Sequence, residues 1–295
     1  MFFIAPLITL YSGHIILIVA AVIPAIFLLR FIYRSDRLEP EPKDLIWDLV
    51  KKGIISTFVA VMCERLGQLI LNLFFAEETT LYNILMYFIV VGLSEEASKY
   101  VLLEKRTWDS PHFNCKFDGV VYAVTVSLGF ALWENIEYVL NYGFETALIR
   151  AVTAVPGHAC FGVFMGVWYG LAKSLSLKKD ESASKTCRRL AVIIPAFIHG
   201  CYDYIATMTD PNSTIIFVVF VAVMFIASYL VVKRLSETDR YLDSEPATAR
   251  KVVDINDPRV SYHAVDVESG DGESGYDPKV SYRPQEDSNQ DNRRD

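Results

Sequence analysis

The sequence lacks the cysteine pattern of a zinc site and the cysteine density of a disulfide scaffold. Its five cysteines, Cys63, Cys115, Cys160, Cys187 and Cys201, are scattered. Three of them lie in apolar blocks and read as small packing residues. An HExxH zincin pattern is absent, as is any evident serine or cysteine nucleophile motif. The first residues, MFFIAPLITLYSG, lack a basic n-region, so no cleavable signal peptide is expected and this block is expected to stay in the mature protein. Charge is also scarce. Asp, Glu, Lys and Arg make up 21% of the chain and hydrophobic residues 52%, which excludes an average soluble domain.

What charge there is divides unevenly. Residues 236–295 carry 15 acidic and 8 basic side chains, which accounts for the whole net charge of −7. The body before them is electroneutral, and no nucleic-acid partner is expected. The tail is rich in Gly, Ser, Asp and Glu and repeats itself, DPRVSY at 257–262 and DPKVSY at 277–282. It cannot bury enough apolar area to offset chain entropy and is expected to be disordered.

The body is a series of long apolar runs. A helix that crosses the hydrocarbon needs about 20 such residues. There are seven candidates: 12–33, 54–75, 81–103, 118–140, 146–172, 188–208 and 214–234. The runs are long and do not alternate, which favours helices over a barrel. The expected fold is therefore an all-α, polytopic integral membrane protein, with a membrane domain over 1–235 and a tail over 236–295. Lys and Arg concentrate in the connections 30–53, 104–117 and 173–189, and the loops 76–80, 141–145 and 207–213 have none. That alternation puts the N-terminus outside and the tail in the cytoplasm. After the first span, RSDRLEPEPKDLIWDLV holds two Glu-Pro pairs that interrupt a helix. DLIWDLVKKG then reads either as an interfacial amphipathic lead-in or as an ordinary polar loop.

The informative residues are the ionisable ones inside the apolar runs. Each costs roughly 2.5–3.5 kcal/mol at mid-bilayer. Span three has Glu95, Glu96 and Lys99; span four has Glu134, Asn135 and Glu137; span five has His158; span six has His199 and Asp203. Glu95 and Lys99, and likewise His199 and Asp203, are four residues apart and share a helix face. Glu95 and Glu96 point about 100° apart, so only one aims straight at a given target. Each feature has a plain structural reading: an intrahelical ion pair, a helix–helix clamp, a satisfied buried histidine. Four neighbouring spans contributing together favour a shared site. At about 1.5 Å per residue, Asp203 and Glu134 fall roughly 8–11 Å from the outer edge, the two histidines roughly 14–20 Å, and Glu95 and Glu96 roughly 20–24 Å. A later start or a tilt of span three would close that spread.

Glutamate, histidine and aspartate suffice to hydrolyse an amide without a covalent intermediate. A carboxylate in a dry site takes a proton from water. An imidazole stabilises the oxyanion or protonates the leaving amine, and Asp203 can orient His199. No cofactor is expected, although Glu and His suit zinc, with His158, His199 and Glu134 as the ligands if a metal is present. Gly162, Gly166 and Gly170 in span five read as a close-packing stripe. Pro156 and Gly157 are expected to loosen the helix beside His158.

EEASK at 95–99, FALWE at 130–134 and HGCYD at 199–203 match the motifs EExxK, FxxxE and HxxxD, in order, on successive spans. With FDGVVYAVTVSLGFALWENIEY, SDRLEPEP and HACFG, they resemble the PrsW family of intramembrane proteases over about residues 24–234. That family is grouped with the CAAX prenyl endopeptidases and bacteriocin-processing membrane proteases. The resemblance implies a glutamic-type peptidase. Glu95 or Glu96 would be the base, Glu134 would position the water, and His199 and Asp203 would stabilise the tetrahedral intermediate. Lys99, Phe130, Asn135 and His158 would support them. Glu134 stands where the CAAX enzymes have histidine, so their assignment does not carry over there. The implied partners are the lipid bilayer and a membrane-tethered protein substrate, with PrsW members known for site-1 cleavage of an anti-sigma factor on its outer side. Three rival functions stand beside this one: a proton- or ion-coupled transporter, which also uses mid-membrane carboxylates but against which the hydropathy shows no inverted repeat; a seven-span receptor, which would leave the polar cluster unexplained; and a non-catalytic membrane scaffold that binds single-span proteins through the same groove.

Overall fold

The computed structural model of the chain describes residues 4–77 and 79–242, with side chains from residue 18 onward except Ala147. Among the described residues the architecture is all-α. The helices are α1 (Ile4–Ser35), α2 (Lys43–Phe74), α3 (Thr80–Leu85), a π-helical segment (Met86–Leu93), α4 (Ser94–Thr107), α5 (Asp118–Tyr142), α6 (Phe144–Val152), α7 (Ala154–Leu177), α8 (Glu181–Ala206) and α9 (Ser213–Glu237). Among the described residues, five stretches are long and apolar enough to cross a membrane: Ile18–Ser35, Lys43–Phe74, Asp118–Tyr142, Phe144–Leu177 and Ser213–Glu237. The runs expected as spans three and six are helical too, but fall outside that set. The first is interrupted by the π-helical segment and carries Glu95, Glu96 and Lys99, and α8 carries His199 and Asp203. The tail's DPRVSY and DPKVSY lie outside the described residues.

Helix α5 is the axis of the fold. Every residue from Asp118 to Ala131 is buried, so this helix is enclosed on all sides. Its neighbours approach through glycine. A Cβ on Gly53 of α2 would lie 2.1 Å from the Val126 carbonyl oxygen, and one on Gly129 2.3 Å from that of Val50. The stripe Gly162, Gly166 and Gly170 does the same for α7; a Cβ at Gly166 would lie 2.4 Å from the Val120 Cα. The close-packing reading of that stripe is therefore right. By contrast α1, α2 and α9 expose large apolar side chains such as Phe27, Met62 and Val218, the surface a bilayer solvates.

Three local expectations change. DLIWDLVKKG is neither a separate interfacial segment nor a loop. It forms the opening turns of α2 and buries Leu45, Ile46, Leu49, Val50 and Gly53 against the bundle. The run 146–172 is two helices, α6 and α7, broken at Thr153 (φ −121°, ψ −71°). Pro156 and Gly157 consequently stand in the first turn of α7, where a proline lacks no needed donor, and do not loosen a helix interior. Helix α9 runs past residue 235 to Glu237, Ser236 Oγ donates to the Ser35 carbonyl, and the Leu242 amide donates to the Asn114 carbonyl at 2.7 Å.

At the end of the bundle where the basic connections gather, Arg106 pairs with Asp48, Arg188 pairs with Glu104, and Lys173 donates to the Trp108 carbonyl at 2.6 Å. Gly166→Val would force a side chain into the α5 backbone and should destabilise the protein by about 1–3 kcal/mol or more. Thermal unfolding of the purified protein in detergent checks this, and an unchanged transition would contradict the packing.

Candidate active site

The π-helical segment Met86–Leu93 lies against α8 with backbone nearly touching backbone. A Cβ on Gly92 would sit 2.7 Å from the Ala196 carbonyl oxygen, and one on Gly200 would sit 2.6 Å from the Phe88 ring. A π turn inserts one residue into the helical register and so re-aims every later side chain. Glu95 and Glu96 stand just past that turn, after Ser94, and His199 is the immediate neighbour of Gly200.

Lys99 is the centre of the site. Its side chain is completely buried, and its ammonium donates to Glu96 Oε1 at 2.7 Å, His158 Nδ1 at 3.1 Å and Glu95 Oε2 at 3.2 Å. An ammonium has three N–H bonds and no acceptor, so all three are used. The face of Phe130 lies 4.0 Å below it. The interaction also sets the His158 tautomer. Nδ1 accepts from lysine, so the proton is on Nε2, which donates to Glu134 Oε2 at 2.8 Å.

Two arms extend from this centre. On one, His199 Nδ1 lies 3.0 Å from Glu96 Oε1 and its Nε2 lies 3.4 Å from Asp203 Oδ2. Both ring nitrogens thus face carboxylate oxygens, and Phe161 stacks on the ring at 4.5 Å. On the other arm, Arg150 Nη2 lies 2.8 Å from Glu134 Oε2, out of line for a hydrogen bond. Arg150 Nε donates to Asn135 Oδ1 at 3.1 Å, and buried Asn135 donates to the Ala21 carbonyl at 2.9 Å. Asn135 is therefore a positioning residue, which ties α1, α5 and α6 together.

The site residues expected from sequence thus lie in one contact network. Asp203, His199, Glu96, Lys99, His158 and Glu134 form a chain in which each link is 3.4 Å or less. The depth spread counted from span edges does not keep them apart, because long side chains and the π-shifted register bridge it. Glu137 is exposed at the cavity rim. Two residues were missed. Arg150 supplies the cation that Glu134 lacks within its own helix, but it sits in a run read only as apolar. Glu64, on α2, lines the same cavity and was signalled by being an acid inside span two.

The cavity itself is about 570 Å³. It runs from Glu95, His158 and His199 past Glu64, Glu134 and Asp203 to Tyr142 and Thr207, at the ends of α5 and α8 opposite the basic connections. Glu95 lines it, whereas Glu96, fully buried, lies behind Lys99 and His199. The two adjacent acids are thereby told apart.

Residues 41–229 match the family described as PrsW family intramembrane metalloprotease, which is more than half of the chain. The chain belongs to the PrsW family. It is similar to Protease PrsW of Bacillus subtilis, 32% identical over 191 residues that span 65% of this chain and 83% of that protein. It is also similar to Protease PrsW of Halalkalibacterium halodurans, 30% identical over 224 residues, 76% of this chain and 99% of that one. The Geobacillus kaustophilus protein is 33% identical over 189 residues, 64% of this chain and 79% of that one. No solved structure matches. Membership makes the chain a multi-pass intramembrane protease, a hydrolase with a protein substrate in the membrane.

The family description names a metalloprotease, which runs against the expectation of no cofactor. Glu95, Glu96, His158 and His199 each offer one donor atom, all within 4.8 Å of one another, a set whose chemistry suits zinc. It includes Glu95 and Glu96, and Glu134 is instead engaged with His158 and Arg150. Yet the Lys99 ammonium already donates to three of the four. A dication and an ammonium repel one another and compete for the same lone pairs. In this arrangement the four residues do not fit a metal ion. The tautomer gives a direct check. Nitrogen NMR of histidine-labelled protein should show His158 with protonated Nε2 and bare Nδ1, and a protonated Nδ1 would contradict the Lys99 contact.

Proposed function

We propose that this protein is a seven-span protease that cleaves a membrane-tethered protein by a water activated on Glu95, with its N-terminus outside and its tail in the cytoplasm. The observation that carries the mechanism is the unequal placing of the paired acids: Glu95 fronts the cavity, and Glu96 is sealed behind Lys99. The orientation rests on the Lys- and Arg-rich connections, which put the cavity's open end on the outer side.

In this reading the scissile peptide bond lies over Glu95. The carboxylate takes a proton from water as the oxygen bonds to the carbonyl carbon. The developing oxyanion meets the Nε2–H of His199, which turns from Asp203, 3.4 Å away, to the stronger charge. The proton held by Glu95 passes to the amide nitrogen, the C–N bond breaks, and an acid and an amine leave. Glu96 anchors His199 and Lys99, so it positions without touching substrate. Glu134, held by Arg150 and His158, presents a second carboxylate that orients the water or the substrate backbone. The PrsW proteins of the three bacteria carry the name of protease, which supports extending peptide hydrolysis to this site.

Glu95→Gln should abolish cleavage, a loss of about 10²–10⁴-fold, and should cost less thermal stability than Glu96→Gln, because the amide oxygen still accepts from Lys99 while Glu96 is also bound to His199. Glu96→Gln should lose both activity and thermal stability. The substrate is read out by comparing membrane proteomes of wild-type and Glu95→Gln cells for a tethered protein that accumulates uncut. Full activity of Glu95→Gln would defeat the reading. Cleavage should also survive stripping with a chelator, and its loss with recovery on adding Zn²⁺ would overturn the metal-free chemistry.

A further inference from the structure

A second acidic cluster lies at the other end of the bundle, where the mechanism has no use for it. Asp36 comes directly after α1, Glu41 belongs to the SDRLEPEP connection, and Asp118 is the first residue of α5. Their exposures are 7%, 4% and 1%, and one oxygen from each lies within 4.8 Å of the others. Both Asp36 oxygens and Glu41 Oε2 are sealed from solvent with no hydrogen-bond partner. The backbone amides of Leu38 and Glu39 lie near Asp36 but fall outside hydrogen-bond geometry.

An independent group points the same way. Tyr122 stands one turn after Asp118 on α5, its side chain fully buried. Its hydroxyl faces Glu41, with Asp118 nearby, but falls outside hydrogen-bond geometry to both. The large majority of buried polar atoms in native proteins are satisfied, by protein, water or an ion, and a cluster of exceptions calls for an explanation. Four orphaned oxygens around three carboxylates mark a place for a cation.

The frame around them is built. The Tyr33 hydroxyl donates to the Glu41 carbonyl at 3.1 Å. Asp118 Oδ2 accepts from the amides of Asn114 at 2.9 Å and Cys115 at 2.6 Å, which fixes the turn before α5. The Phe117 amide donates to Asp239 Oδ1 at 3.1 Å, which brings the end of α9 alongside. Asp36, Glu41 and Asp118 offer only carboxylate oxygens, with the Tyr122 phenol beside them, a set that favours a hard cation over a soft one, while the Cys115 thiol groups with Asp118 and Asp239 instead.

We propose that Asp36, Glu41 and Asp118 bind one hard divalent cation, Mg²⁺ or Ca²⁺, which clamps the first connection to the N-terminus of α5. The site is separate from the catalytic cavity, and its role is to hold α1, α2 and α5 in register at the basic end.

The test uses the full chain, purified in detergent and stripped with EDTA. Mg²⁺, Ca²⁺ and Mn²⁺ are titrated separately, with thermal unfolding as the readout and the electron-spin signal of Mn²⁺ as a count of bound ions. One of the first two ions should raise the unfolding temperature saturably by several degrees and displace one Mn²⁺. Glu41→Gln should lower the affinity about 10-fold or more, and Asp36→Asn serves the same purpose should that variant not fold. Glu95→Gln should keep the full response, which separates this site from the cavity. The proposal is overturned if no ion shifts the wild type, as expected for a cluster that is merely protonated. It is equally overturned if the Glu41 and Asp36 variants respond like wild type, or if Glu95→Gln abolishes the response.

Discussion

A lysine ammonium buried inside a helical bundle is the constraint on which the rest of this structure depends. Taken out of water alone, such a charge is prohibitively costly. Lys99 is tolerable because three acceptors on two helices meet its three N–H bonds, with the Phe130 face below. That demand fixes much else. Glu95 and Glu96 must leave the π-helical segment in the register that brings both acids to the ammonium. His158 must present Nδ1, so Nε2 is left to hold Glu134. Helix α8 must come close enough at Gly200 for His199 to reach Glu96.

The same network divides labour between residues of identical type. Glu96 is immobilised on two cations or donors, while Glu95 keeps one edge toward the cavity. Glu134 is held by Arg150 and His158 and lines the same cavity as Asp203. An active site assembled from such fixed charges does not reorganise when charge develops during hydrolysis, which is where electrostatic catalysis gains most. It also accounts for the apparent extravagance of so many ionisable groups in apolar helices: each lowers the cost of the next.

Much of this was legible in the sequence. Long apolar runs located the helices, and the i, i+4 spacing of Glu95 with Lys99 and of His199 with Asp203 correctly placed each pair on one face. What hydropathy cannot register is a one-residue widening of a helix, so the π-helical segment before Glu95 was invisible. The break at Thr153 was hidden because both flanks are apolar. Arg150 was overlooked because it stands inside a run read only as apolar, and its partner comes from another helix. The acids Asp36 and Glu41 stood in a segment that was noticed for its prolines, and only the fold brings Asp118 and Tyr122 to them.

The most direct test of the account is a double-mutant cycle on thermal stability between Lys99 and Glu96. Lys99→Met leaves buried carboxylates unpaired and should cost about 3–5 kcal/mol. Adding Glu96→Gln removes one of those charges, so the double variant should be more stable than Lys99→Met alone, with a large coupling energy between the positions. Strictly additive losses, or a Lys99→Met protein as stable as wild type, would show that the buried ammonium does not organise the site.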